Sequence, residues 1–465
     1  MSQPNLRRAG TWLIVAAALR GLSAQPAPAP QPLTVAQTVE RALRNYPSIQ
    51  VSREQVGAAA AAIRLARTAY LPRIDGFAMV NRATRNNLLG MMLPQSTIPS
   101  MSGPVLGTNN LGTAFGSAVG TLVSWEPFDF GLRQANVALA AAARAQSEAA
   151  VRRTEFEVAA TTADACLTLE ASRETVRAAQ AGVERAQTVL TTIAALVNAQ
   201  LRPGADRSRA EAEFAAARTQ AIQAQQAVDV ARATVAQFVG AAPAEIAVIA
   251  PRLLELPPAA VPAPLDASAN PVALEQNAAL AHAKAQLAAI ERSYFPRFAL
   301  QGAAYARGTG AETNGALLGG LNGLAPSVQN YGVEFSVTFP ILDFPAIQAR
   351  EAAQAALVRA EAARYRQIAV DLAADWNRAV AALQGARQVA ANTPVQVAAA
   401  RAAADQAAAR YRSGLGAIDE VAEAQRLLTQ AEIDDALARL SVWRALLAIS
   451  TALGDVRPFL AEVSP

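Results

Sequence analysis

Apolar positions recur every seven residues along two long stretches of the chain. In the first stretch, Leu169, Val176, Val183, Leu190 and Val197 share one position of the repeat, with Ala165, Ser172, Ala179, Ala186 and Ile193 at the companion position. Past a break near Gly204, Phe214, Ala221, Val228 and Val235 resume the spacing beside Ala217, Ala224, Ala231 and Phe238. A sustained seven-residue repeat keeps one helix seam turned toward a partner, and small residues along it let two backbones come close. The pattern predicts an antiparallel coiled-coil hairpin. Its ascending helix, from about 133 to 200, would be on the order of 100 Å long at about 1.5 Å per residue. The second stretch predicts the same figure, with an ascending helix from about 346 to 411, a turn at Gly414-Leu-Gly416 and a return through Ile433, Leu440 and Leu447.

Between these helices the period changes to two. Tyr331, Val333, Phe335, Val337, Phe339 and Ile341 alternate with Gly332, Glu334, Ser336, Thr338 and Pro340, which predicts a strand with one apolar face and one small or polar face. Weaker alternation marks 74–82, 115–127 and 296–307 as three further strands. Each pair encloses a loop rich in Gly, Asn and Ser, at 86–112 and 308–330. Two β-hairpins with long loops are therefore expected.

The elements are written twice. Tyr46-Pro47, an alanine-rich helix and Tyr70-Leu-Pro72-Arg-Ile74 are answered by Asn270-Pro271, a similar helix and Tyr294-Phe-Pro296-Arg-Phe298, with 25 positions from proline to proline in each case. Pro127-Phe-Asp129-Phe-Gly131 is answered by Pro340-Ile-Leu-Asp343-Phe-Pro345, and the long return helices end at Gly240 and Gly454. Such internal self-similarity sets the architecture ahead of any local reading. The chain divides into a first repeat at 33–255, a proline-rich linker at 256–269, a second repeat at 270–455 and a short tail at 456–465.

Composition agrees with helices packed closely. Hydrophobic residues make up 52% of the 465 positions but aromatics only 5%, the excess being alanine, which favours helix and buries little area per residue. Arg7 and Arg8 precede an apolar run ending in Leu22-Ser-Ala24, the pattern of an export signal over 1–24, and Gln25-Pro-Ala-Pro-Ala-Pro-Gln-Pro32 reads as an extended spacer. The net charge of +4 is spread as mixed Arg and Glu, giving no nucleic-acid footprint. Cys166 is the sole cysteine and reads as a small core residue, and His282 is the sole histidine, in an alanine-rich helix with no catalytic signature around it. Leu318-Gly-Gly-Leu-Asn-Gly323 lacks the strand-to-helix context of a phosphate loop. No Cys/His cluster offers a zinc site. The expectation is a non-enzyme without metal or cofactor.

An exported chain of two repeats, each a β-hairpin set into long coiled-coil helices, resembles the TolC-like outer-membrane efflux protein family. The strand starts at Tyr70-Leu-Pro72 and Tyr294-Phe-Pro296 carry the resemblance. So do the strand exits at Pro127-Phe-Asp129-Phe-Gly131 and Pro340-Ile-Leu-Asp343-Phe, and Tyr411-Arg412-Ser-Gly414 leading into Asp419-Glu-Val-Ala-Glu423. The resemblance implies a mainly α fold with a β-barrel part, three chains contributing four strands each to a twelve-stranded barrel, and a helical tunnel into the periplasm. It further implies an inner-membrane pump and a periplasmic adaptor as partners, and a passive exit channel for small molecules or proteins. Barrel closure also follows from physics, because an open strand edge in lipid leaves unpaired backbone groups costing several kcal/mol each. On that arrangement Tyr331, Val333, Phe335, Val337 and Phe339 face outer-membrane lipid, and Glu334, Ser336 and Thr338 the wet lumen. The alternative is a soluble periplasmic coiled-coil adaptor, which accounts for the helices but not for their duplication.

The resemblance places the aperture at the helix tips, with Glu420 and Glu423, and Asp419 beside them, as the acidic residues that ring it. Their spacing puts Glu420 and Glu423 on one helix face. An ordinary solvated helix face is an equal reading of the same residues. The first tip, Leu201-Arg-Pro-Gly204-Ala-Asp206, has no matching acidic pair and is expected to serve turn geometry and partner contact. Gly204 and Gly414 are expected to take the left-handed backbone that tight reversals need.

Overall fold

The computed structural model describes residues 32–84, 112–258, 263–312, 314 and 316–463. The export signal, nearly all of the spacer and nearly all of the 86–112 loop lie outside the described residues.

Two unbroken helices run the length of the molecule. Helix α3, Leu132–Asn198, has 67 residues, and α6, Phe344–Arg412, has 69, each about 100 Å long at about 1.5 Å per residue. Each is flanked by two shorter helices. Helices α2, Pro47–Thr68, and α4, Gly204–Val239, belong to the first repeat; α5, Pro271–Glu291, and α7, Ile418–Leu453, belong to the second. At one end of the molecule α2, α3, α5 and α6 pack in that order; at the other, α3 pairs with α4, α6 pairs with α7, and α3 packs on α7. The predicted long helices agree with the observed ones within two residues at each end.

The short helices meet end to end at asparagines. Asn270 is fully buried; its Nδ2 donates to the Thr451 and Ala452 carbonyls at the end of α7, while its Oδ1 accepts from Val272 N–H at the start of α5. One side chain thus serves orphan groups of two helix termini. Gly454 makes the approach feasible: its φ is +81°, and a Cβ there would lie 2.7 Å from Asn270 Cα. At the equivalent junction in the first repeat Asn45 donates to the Val239 carbonyl at 3.0 Å.

A small layer wraps the outside where these junctions fall. Strand β1, Leu33–Thr34, leads into α1, Val35–Asn45, and pairs in parallel with β4, Val248–Ile249. Val35, Val39, Cys166, Leu167, Leu169, Val235 and Trp443 form its core. The expected short tail is an ordered helix, α8, Arg457–Val463, with Phe459 and Val463 buried against that core. Its last two residues lie outside the described set.

The four predicted strands form one antiparallel sheet in the order β2-β3-β5-β6: Arg73–Thr84, Thr113–Phe128, Arg297–Thr309 and Val328–Thr338. The two repeats are joined here by β3 against β5, for example Val123 opposite Gly302. The last strand ends at Thr338, so Phe339 and Ile341 lie beyond it. Pro340, which has no N–H to give a ladder, stops the pairing although the alternation of side chains continues.

Candidate functional site: the two helix tips and the sheet that faces them away

The sheet has two chemically distinct faces, and the pairing register assigns them. Ile74, Val119, Val123, Trp125, Leu300, Phe335, Val333 and Tyr331 fall on one face. Tyr331 is 87% exposed and Val333 76%. On the opposite face one row runs Arg73, Ser124, Gln301, Glu334 across all four strands. Strands β2 and β6 are the edges, 12 and 11 residues long. Water is the wrong neighbour for the first face and the right one for the second.

The sheet is locked to the helices by a buried ion pair. Asp129 accepts from Gly131 N–H, from Arg133 N–H at 2.8 Å and from Arg133 Nε at 2.7 Å, and the Arg133 guanidinium lies 4.7 Å from the centre of the Tyr70 ring. The second repeat uses aromatic contact instead: Tyr294 stacks on Phe344 and donates to Glu351 at 2.6 Å.

At the far end of the helices the two tips hold each other. Tyr411, buried at the end of α6, donates its phenol to Asp206 Oδ2 at 2.7 Å, across the gap between repeats. Arg202 covers the Tyr411 ring at 4.3 Å from its centre and donates to the Tyr411 carbonyl. Burial first, and the carboxylate second, push the Tyr411 pKa up to about 12, which keeps the phenol a donor at neutral pH. Beneath the latch Ile193, Ala210, Ile418 and Val421 form a small apolar plug.

The expected acidic residues sit in the first turns of α7, and arginines meet each of them. Asp419 pairs with Arg209 at 3.2 Å, Glu420 with Arg410 at 3.6 Å and Glu423 with Arg426 at 2.9 Å. Asp419 therefore leans toward the first hairpin while Glu420 leans toward α6. Across 200–213 and 410–426 the side chains include six arginines (202, 207, 209, 410, 412, 426) and six carboxylates (206, 211, 213, 419, 420, 423), so the tip is charge-balanced. Gly414 has φ +83°, as its place in the turn requires. Gly204 does not: it begins α4, and Gln200 takes the left-handed backbone instead, at φ +59°. Arg412 donates to the Ala408 carbonyl of its own helix and stays exposed. Arg202, Arg209 and Arg410 were not legible as partners, because each pairing joins residues brought together by the tertiary fold or by a turn, and no local spacing encodes it.

Comparison with known families matches the outer membrane efflux protein family over residues 38–241 and 267–455, one segment in each repeat. Among solved structures, the outer-membrane channel OprN aligns with a TM-score of 0.69 at 21% identity, covering 90% of this chain and 89% of that one. The CmeC outer membrane channel of Campylobacter jejuni gives 0.71 at 15%, covering 97% and 94%. The outer membrane protein VceC of Vibrio cholerae gives 0.70 at 17%, covering 90% and 96%. A comparison with curated protein sequences gives no significant match.

Proposed function

The chain belongs to the outer membrane efflux protein family, and from that membership we propose that three copies of it form one closed duct, a β-barrel in the outer membrane continued by a helical tunnel through the periplasm. The family identifies it as an outer-membrane channel subunit and not as a soluble adaptor. The sheet carries the reading of assembly: an apolar face, a polar face and two open edges make sense when copies pair edge to edge around a ring. The helices support the same closure. One flank of the chain exposes Val51 and Leu65 on α2 and Ile222 and Val230 on α4, and the other exposes Leu357, Val370, Val389 and Val395 on α6. Unlike flanks that meet head to tail generate a ring when the rotation closes.

In that ring the charge-balanced tips form the periplasmic aperture, with Asp419, Glu420 and Glu423 at its rim and the Tyr411–Asp206 latch holding it narrow. An inner-membrane pump supplies the driving force and an adaptor joins it to the tips, where Leu201 and Leu415 project with 69% and 74% of their surface exposed. Mass measurement of the detergent-purified protein tests the assembly and planar-bilayer recording tests the conduction. The expected result is three copies and a conducting pore. A stable single copy that conducts would overturn the ring.

A further inference from the structure

The apolar face of the sheet is bracketed at both ends. By pairing register, Trp125, Leu300 and Phe335 form a row near the helices, and Arg82 opposite Phe115 forms the row at the far end. Between these rows, among the described residues, the face carries no charged side chain. Trp125 and Phe115 are ten residues apart on β3, about 33 Å along a strand at about 3.3 Å per residue. Strands tilted by about 40° turn that length into about 25 Å of height, the height of the apolar band on an outer-membrane barrel. Arg82 therefore stands at headgroup depth, at the end of the band remote from the helices.

The arginine is built into this corner. Its Nε donates to Thr113 Oγ1 at 3.1 Å and its guanidinium carbon lies 5.2 Å from the centre of the Phe115 ring, while the residue as a whole stays exposed. Among the described residues no carboxylate pairs with it. The loop from β5 to β6 lies against the same corner. Gly308, opposite Ser117, belongs to the apolar face, and a Cβ there would run into the Ala325 carbonyl, so this part of the loop rests on the outside of the sheet and not over the lumen. Gly323, at φ +96°, leaves no room for a Cβ against the Phe115 carbonyl, which also accepts from Gly310 N–H at 2.8 Å. The loop exposes 74% of Leu321 and 47% of Leu318. Its one carboxylate among the described residues, Glu312, accepts from Asn314 Nδ2 at 2.9 Å.

Resting on the reading of the chain as a barrel-forming subunit whose helices run into the periplasm, we infer that Arg82, Phe115 and the β5–β6 loop form a binding site for the phosphorylated glycolipid of the outer leaflet. The guanidinium fork matches a phosphate, and Phe115 fixes it in place. Leu318 and Leu321 meet the upper part of the acyl chains. The far end of the sheet faces the outer leaflet, so the phosphate it meets is that of a glycolipid and not of a periplasmic-leaflet phospholipid.

Native mass spectrometry of the lipid-depleted protein in detergent, titrated with bis-phosphorylated lipid A, tests the site. The expected result is saturable binding of one lipid per copy, weakened at least fivefold by Arg82→Gln. Arg73→Gln, which removes the same charge from the polar face, should leave the affinity unchanged. Arg82→Lys keeps the charge without the fork, so it should weaken binding at least twofold, and it serves as the test if Arg82→Gln fails to assemble. Phosphatidylglycerol should bind at least fivefold more weakly than lipid A and without dependence on Arg82. The site is overturned if lipid A does not bind, if both Arg82 variants bind it as the wild type does, if Arg73→Gln weakens binding as much, or if phosphatidylglycerol binds as tightly through Arg82. The mass and conductance of the lipid-free assembly are read from the same preparation. A single copy that conducts fails the ring, whereas a conducting trimer indifferent to lipid A fails the site alone.

Discussion

Removing the Tyr411 hydroxyl isolates the latch from the rest of the tip. Tyr411→Phe keeps the ring, and with it the Arg202 contact at 4.3 Å, but deletes the 2.7 Å bond to Asp206. A hydrogen bond to a charged group contributes about 1.5 to 3 kcal/mol, and the low end applies because Asp206 lies in the first turn of α4, where water can replace the phenol. If three tips open together, about 1.5 kcal/mol per copy sums to about 4.5 kcal/mol, close to a thousandfold shift toward the open state. Independent tips would give about tenfold each. Because the phenol pKa is raised to about 12, its contribution is fully present below about pH 10, the unfolded value, and is lost only as pH rises toward 12, so neutral-pH recordings report the latch intact. The assay is open probability of single channels, with trimer yield measured in parallel. Unchanged open probability in a correctly assembled variant would refute the latch.

Three further outcomes follow from other parts of the structure. Val333→Arg, on the exposed apolar face, should cut assembled protein far more than Thr338→Arg on the other face, since arginine toward lipid costs about 2 to 4 kcal/mol near the bilayer centre; equal yields on heat-modifiable gel migration would contradict the facing. Glu420→Gln with Glu423→Gln removes two of six negative charges per tip, so the balanced ring acquires an excess of about +6 over three copies and ion selectivity should shift toward anions; reversal potentials that do not move in a salt gradient would show that neither glutamate borders the pore. Asn270→Ala leaves two helix ends uncapped and should lower thermal stability by about 1 to 3 kcal/mol, more than Asn45→Ala, as read by circular dichroism in detergent; an equal loss would contradict the asymmetry of the junctions.

Much of the framework was legible because it rests on period and order. The seven-residue spacing located α3, and the duplication of the chain located its counterpart α6, each to within two residues, while the strict alternation at 331–337 located β6. The strands β3 and β5 were fainter, being rich in Gly and Ala, whose contribution is to let neighbours pack: Tyr305 lies where a side chain on Gly120 would stand, 2.4 Å from a Cβ built there. The acidic residues Asp419, Glu420 and Glu423 could be placed on a helix start, but their arginine partners could not, since Arg209 and Asp419 are 210 positions apart. The exchange of roles between Gly204 and Gln200 had no signal, because either residue can close a turn of that length.

The end-to-end asparagine junctions make this molecule a set of rods in series. Along each repeat one rod is continuous and its neighbour is two pieces butted together. Any pull along the duct axis is therefore borne by α3 and α6, while the jointed rods yield at their seams. The seams are unequal: Asn45 gives one bond across the first, to the Val239 carbonyl, and Asn270 gives two across the second, to the Thr451 and Ala452 carbonyls. Under load the first repeat gives way before the second, so an axial force arriving at symmetric tips leaves the wall as a bend with a defined direction.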